Sequence, residues 1–127
     1  MYTFKKEERL CNKKLIDGLF HNGSSFLCYP YKVSWQLATA GVMPAQIVFS
    51  VGKKRFKRAV IRNLIKRRLR EAYRLHKQQY LYDYLTAQGK SIVLSVGYVG
   101  KQVETYAFIE TKMIKMLTQL NEQLAKQ

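Results

Sequence analysis

The chain has 127 residues, 47% of them hydrophobic, and a formal charge of +15. That length gives one domain with a modest core, and that hydrophobic content excludes a disordered chain. The charge exceeds what solubility needs and asks for an anionic partner; two well-separated cysteines, Cys11 and Cys28, exclude a disulfide framework or zinc site and fit a reducing cytoplasm.

The first residues, MYTFKKEERL, have no apolar run behind their cations, so they are not expected to be a secretory signal. They read as an arm lying on the domain, with Tyr2 and Phe4 as anchors. Asn12 can cap a short helix over Lys13–Phe20, whose apolar side is Leu15, Ile16, Leu19 and Phe20. Asn22-Gly23 stops it, with Gly23 suited to a left-handed C-terminal position. From Tyr29 to Leu37, Tyr31, Val33, Trp35 and Leu37 alternate with Lys32, Ser34 and Gln36, which is the period of a strand. A loop to Pro44 leads to a second strand, Ala45–Val51, and the short connection suggests that the two strands pair antiparallel.

Gly52 breaks that strand. The stretch from Lys53 to Arg74 then holds 11 of the 23 Lys+Arg residues and one acid, Glu71. Lys53–Lys57 is a basic loop, and a long helix is expected from about Arg58 to His76. Gln78–Gln88 keeps helical spacing and either continues the helix or forms a separate turn or two before Gly89. Ser91–Tyr98 reads as a buried strand, and Glu104–Leu124 as a final helix with Ile109, Met113, Met116, Leu117, Leu120 and Leu124 as its stripe. Helix, strands, long helix, strand, helix is the order of a two-layer α/β (α+β) sandwich with a small mixed sheet. No stretch is apolar enough to span a membrane.

On a wheel advancing about 100° per residue, Ile61, Ile65, Leu69 and Ala72 share one side of the long helix. Asn63, Lys66, Arg67, Arg70 and Arg74 gather opposite, with Arg62 at the boundary. Arg68 projects into the apolar arc and must snorkel or pair, with Glu71 as a candidate. An ordinary solvated face interleaves acids with cations; this one has almost none, and the arginine fork suits phosphates and bases. Lys53, Lys54, Arg55, Lys57 and Arg58 suit phosphate contacts just ahead of it. Neutralising about 6 to 8 phosphates would give a log–log salt slope on the order of −4 to −7.

These residues carry a resemblance. Arg62-Asn63, Lys66-Arg67 and Arg70-Glu71, at this spacing on one helix after Val51-Gly52-Lys53-Lys54, resemble the signature of the bacterial ribonuclease P protein component. Leu64 stands where that family usually has a second arginine, and Arg68 is the candidate substitute. Phe4-Lys-Lys-Glu-Glu-Arg-Leu, the short helix and the Pro30–Trp35 strand occur in matching order, so the likeness covers nearly the whole chain.

The resemblance implies a left-handed β-α-β crossover at the long helix, against the usual right-handed rule. It implies a cytoplasmic protein that assists a catalytic RNA in removing the 5′ leader from precursor tRNA, with magnesium held by the RNA subunit. The expected partners are that RNA and precursor tRNA; no obligate protein partner is expected. The basic helix would face the catalytic RNA, and a cleft between the first helix and the sheet would hold the leader. By position, that cleft would be lined by Ile16, Phe20, Tyr31, Val33 and Trp35. Aromatic residues stack on unpaired bases; the plainer reading makes these residues core, and the strand face with Lys32 and Ser34 equally qualifies as the open one.

No catalytic residue is expected on the chain. The eight acids are scattered, and Glu7-Glu8 on an arm is a poor metal site. His21 and His76 read as surface or capping residues, His76 being favourable at the C-terminus of the long helix. The alternative is a ribosomal-protein-like RNA scaffold, which would need no open aromatic groove. A DNA regulator would want a helix-turn-helix partner for the basic helix, and a membrane-surface helix would waste an apolar side that the core needs.

Overall fold

The computed structural model describes residues 4–38 and 43–126, so Tyr2 and most of the loop before Pro44 lie outside it. Asn12 caps α1 (Lys13–Asn22), its Oδ1 accepting from the amides of Lys14 at 2.9 Å and Leu15 at 3.3 Å. The strands are β1 (Ser24–Cys28), β2 (Tyr31–Ala38), β3 (Ala45–Val51) and β4 (Ser91–Tyr98). Between β3 and β4 run α2 (Ala59–Lys77), one wide π-helical stretch (Gln78–Tyr82) and α3 (Asp83–Gln88), as one nearly unbroken rod. Gly89 ends that rod in the left-handed region, at φ 63°, where a side chain would be strained. The final helix, α4 (Tyr106–Ala125), is capped by Thr105, whose Oγ1 accepts from the Phe108 amide at 3.2 Å.

The sheet order is β1-β2-β4-β3. The expected antiparallel pairing of Tyr29–Leu37 with Ala45–Val51 is therefore not made. β4 lies between them, antiparallel to β2 and parallel to β3. Its residues Ile92–Val96 are all buried, and an almost wholly apolar strand is more stable in the sheet's interior than at its edge. β3, the helical rod and β4 thus form a β-α-β unit.

Two further departures are local. β1 has no counterpart in the expected elements: Ser24-Ser25-Phe26-Leu27-Cys28 is short and not alternating, and its ladder to β2 defines it. Gly23 is extended, at φ −77° and ψ 158°. Its need for glycine is close approach: an added Cβ would lie 2.6 Å from the Leu19 carbonyl oxygen and 3.0 Å from that of Trp35.

The register divides the sheet residues between two faces. One presents Tyr31, Val33, Trp35, Ile47, Phe49, Ile92, Leu94 and Val96 to α2 and α4, which close it with Ile65, Leu69, Ala72, Tyr73, Ile109, Met113, Met116, Leu117 and Leu120. The other presents Lys32, Ser34, Gln36, Val48, Ser50, Val93, Ser95 and Gly97, and of the described helices α1 packs on it. There Leu10, Leu19 and Val93 form a small second core with Ile16, Ala38 and Val48.

Candidate RNA-binding surfaces

α2 buries Ile65, Leu69, Ala72 and Tyr73, as its period requires, which turns the cationic flank outward. Asn63, Arg67 and Arg70 are exposed, as are Lys53, Lys54, Arg55, Lys57 and Arg58 ahead of the helix. Lys66 is half-buried. Arg62 folds back, Nη1 donating to the carbonyls of Phe56 and Lys57, each at 2.8 Å. It pins the basic loop to the first turn of α2, where Arg58 is the N-cap and supplies no side-chain bond. Arg74 is half-buried and forms an ion pair with Glu71 at 2.5 Å, which holds the Glu71 carboxyl below its usual range by hydrogen bonding and the Arg74 guanidinium above its own.

Arg68 does not pair with Glu71. Its Nη1 donates to the Glu104 carbonyl at 2.5 Å, bracing the segment between β4 and α4. It lies about 100° round the helix from Arg67, toward α4, so it does not replace the arginine missing at Leu64. His76 lies in the last turn of α2, although the rod continues past it through the π-helical stretch; its Nε2 lies 2.9 Å from Glu110 Oε2 of α4. His21, by contrast, is exposed in the last turn of α1.

The leader-cleft residues do not come together. Tyr31, Val33 and Trp35 are 0%, 0% and 2% exposed, on the face covered by α2 and α4. Tyr31 Oη donates to the Ile109 carbonyl at 2.8 Å, and Trp35 Nε1 to Gln123 Oε1 at 3.1 Å. Burial drives the Tyr31 phenol far above its ordinary pKa, so it stays neutral in the folded chain. These three are core residues. Ile16 and Phe20 lie on the other side of the sheet, Ile16 partly buried and Phe20 66% exposed.

The open half of that second face offers a different candidate groove. Gly18 faces Gln36, its Cβ position 3.9 Å from Oε1. Phe20, two residues on, is about 200° round the helix and so turns to the opposite end of the face. That end carries the cross-strand rows Ser34–Ser95–Val48 and Lys32–Gly97–Ser50, with Leu27 beside Lys32 at the β1 edge. Lys32, Ser50 and Leu27 are exposed, while Ser34 and Ser95 form a buried polar floor. The signal for this groove was present in the sequence: Lys32, Ser34 and Gln36 alternate with the apolar set, and a strand face bearing them tolerates water.

One further feature was not visible in the sequence. Glu8 and Lys77 form an ion pair with both side chains 3% exposed, and Tyr82 Oη donates to Glu8 Oε2 at 3.0 Å. Burial lowers the Lys77 pKa, and the Glu8 carboxylate opposes that shift. Phe4 stacks edge-on against Tyr73, with ring centroids 5.8 Å apart, so the arm from Phe4 onward lies on the domain.

The chain matches the family model described as Ribonuclease P over residues 4–121. It is 34% identical over 120 residues to the ribonuclease P protein component of Porphyromonas gingivalis strain W83, covering 94% of this chain and 87% of that one. It is 44% identical over 69 residues to that of Chlorobaculum tepidum, over 51% of this chain and 45% of that one. Its fold is similar to that of the ribonuclease P protein from Thermotoga maritima, with a TM-score of 0.70 at 20% identity over 88% of this chain and 96% of that one. The corresponding protein from Staphylococcus aureus gives 0.65 at 21% identity, over 89% and 94%. The chain therefore belongs to the ribonuclease P protein family and is a protein subunit of that endoribonuclease, acting in 5′ maturation of tRNA.

Proposed function

We propose that the chain serves ribonuclease P through two separate RNA surfaces. The outer flank of α2, with the loop before it, holds the catalytic RNA. The open half of the α1 face holds the 5′ leader of precursor tRNA, with Ile16 and Phe20 as the wall and Lys32, Ser34, Ser50 and Ser95 as the polar floor. The observation that carries this reading is the charge arrangement on α2. Glu71 pairs with Arg74, Glu8 with Lys77 and Glu110 with His76, so these acids are engaged by cations other than exposed Arg67 and Arg70. Cations left unmatched on a folded helix suit a phosphate backbone.

The two surfaces lie on opposite sides of the sheet, so one chain can touch the catalytic RNA and the substrate together. Phe20 supplies an exposed ring for stacking; the floor supplies hydroxyls and one ammonium, which suit unpaired nucleotides without a fixed sequence. Magnesium belongs with the RNA in this reading. Among the described residues no group of three His, Cys, Asp or Glu side chains could hold a metal ion, which is in keeping with that assignment. The protein's part is to position the two RNAs and neutralise their charge. A cytoplasmic location is in keeping with the free cysteines Cys11 and Cys28, and no helix among the described residues is long and apolar enough to cross a membrane.

Reconstitution at low magnesium tests the proposal. A ribonuclease P RNA and a precursor tRNA are mixed with and without the protein. The protein should stimulate cleavage at the 5′ end of the mature tRNA; no stimulation would remove the proposal.

A further inference from the structure

The cations not yet assigned gather on the N-terminal arm. Lys5, Lys6 and Arg9 are exposed, as are Lys13 and Lys14 at the start of α1. Of the two acids in this stretch, Glu8 is taken up by Lys77, which leaves Glu7. The arm is held along the outer edge of β3. Gln46 Nε2 donates to the Glu7 carbonyl at 3.1 Å, and the Leu10 amide to the Ile47 carbonyl at 2.9 Å. The Arg9 guanidinium sits 5.5 Å above the Phe4 ring, which itself rests on Tyr73. These charges are therefore presented from a fixed backbone.

Helical phase shows what the arm connects. The arm docks on α2 at Tyr73 and Lys77. Measured from the inward-facing Leu69, these two lie at about +40° and +80°, on the same side as Lys66, Arg70 and Asn63 at about +60°, +100° and +120°. One end of the arm is therefore beside the cationic flank of α2. At the other end, Lys13 lies about 120° round α1 from Leu19, on the flank that carries Ile16 and Phe20. The row of cations thus leads from the α2 surface to the wall of the groove.

We propose that the docked arm is a third RNA-contacting element, in which Lys5, Lys6 and Arg9, continued by Lys13, bind the phosphate backbone of the 5′ leader upstream of the nucleotides in the groove. The assignment rests on the groove being the leader site. Lys13 shares the groove's wall, so a strand leaving the groove past Phe20 and Ile16 meets Lys13 and then the arm. Lysines without acid partners contact phosphates with no regard to sequence, so this element extends the grip on long leaders. Three such contacts to a single strand contribute about 2 to the log–log salt slope.

The experiment uses reconstituted holoenzyme and two precursor tRNAs. One has a leader that ends within the groove, and the other a leader several times longer. The variant Lys5→Gln/Lys6→Gln/Arg9→Gln should weaken binding of the long-leader substrate alone and make its salt slope shallower by about 2. Because Arg9 also rests on Phe4, Lys5→Gln/Lys6→Gln serves as a second variant, with thermal melting to show that the arm stays docked; it should give the same selective loss in smaller degree. Equal loss on both substrates, no loss on either, or weakened assembly with the catalytic RNA without dependence on leader length would each overturn the assignment. Phe20→Ala separates the two levels of the argument. If it weakens precursor binding while the arm variants do nothing, the arm assignment alone fails; if it has no effect, the groove reading fails and the arm assignment with it.

Discussion

Replacing Glu8 by alanine tests the buried ion pair with Lys77. The change leaves the Lys77 ammonium in a site 3% exposed, with its nitrogen 5.6 Å from the centre of the Phe4 ring and 5.2 Å from that of Tyr82. Removing one partner of a buried ion pair costs about 3–5 kcal/mol. An independent ceiling comes from the other route open to Lys77, which is to give up its proton. Neutralising a lysine of pKa about 10.4 at pH 7 costs about 4.6 kcal/mol at about 1.36 kcal/mol per unit. The loss is therefore about 3–4.6 kcal/mol. For 127 residues the unfolding entropy is about 270 cal/mol/K, so Tm should fall by about 11–17 °C in a calorimetric melt at neutral pH. The double replacement Glu8→Met/Lys77→Met should recover most of that loss, because it removes the charge together with its partner. A fall of only a few degrees in Glu8→Ala, with the arm becoming open to protease, would show that the arm lifts off to let Lys77 hydrate, and would refute the calculation.

The remaining expectations concern the two RNA surfaces, the core and the phenols. Arg67→Ala should weaken assembly with the catalytic RNA by about 10-fold or more, the worth of one charged hydrogen bond, and leave the preference for precursor over mature tRNA unchanged. Phe20→Ala should do the reverse, cutting that preference by about 5-fold or more through lost base stacking; equal effects of both changes in both assays would contradict the division. Trp35→Ala should cost about 3–5 kcal/mol in a denaturant titration, with no selective effect on leader binding once folded protein is compared. Burial raises the phenol pKa of Tyr31, Tyr73, Tyr82 and Tyr98 above the ordinary value. Their contribution to stability is full below the unfolded value of about 10 and is lost as pH rises above it, so these phenols should titrate only with alkaline unfolding, followed by phenolate absorbance.

The sequence carried the helices and the chemistry of α2 because both depend on period and local charge. Asn12, Gly89 and the apolar period of α2 act within a few residues of themselves, and the structure keeps them where the pattern puts them. The strand order was not legible. A short loop between Tyr29–Leu37 and Ala45–Val51 favours a hairpin, yet Ser91–Tyr98 is the strand with the most apolar surface to bury, and inserting it between the other two leaves neither of its edges open. The misassigned cleft follows from the same gap. Period two shows that Tyr31, Val33 and Trp35 share a face, but which face receives two long helices and which receives one short one depends on contacts between distant parts of the chain. With α2 and α4 committed to one face and only the ten residues of α1 to the other, the second face cannot be covered along its whole length. A ten-residue helix is about 15 Å long and shades one band of a four-stranded sheet. The strip left beyond Phe20 is therefore open because of chain length and topology, and it is the polar half of the alternation that lines it, Lys32 and Ser50 meeting solvent above buried Ser34 and Ser95. The groove lies on the polar face because the aromatic residues of β2 are already used to hold α4 in place.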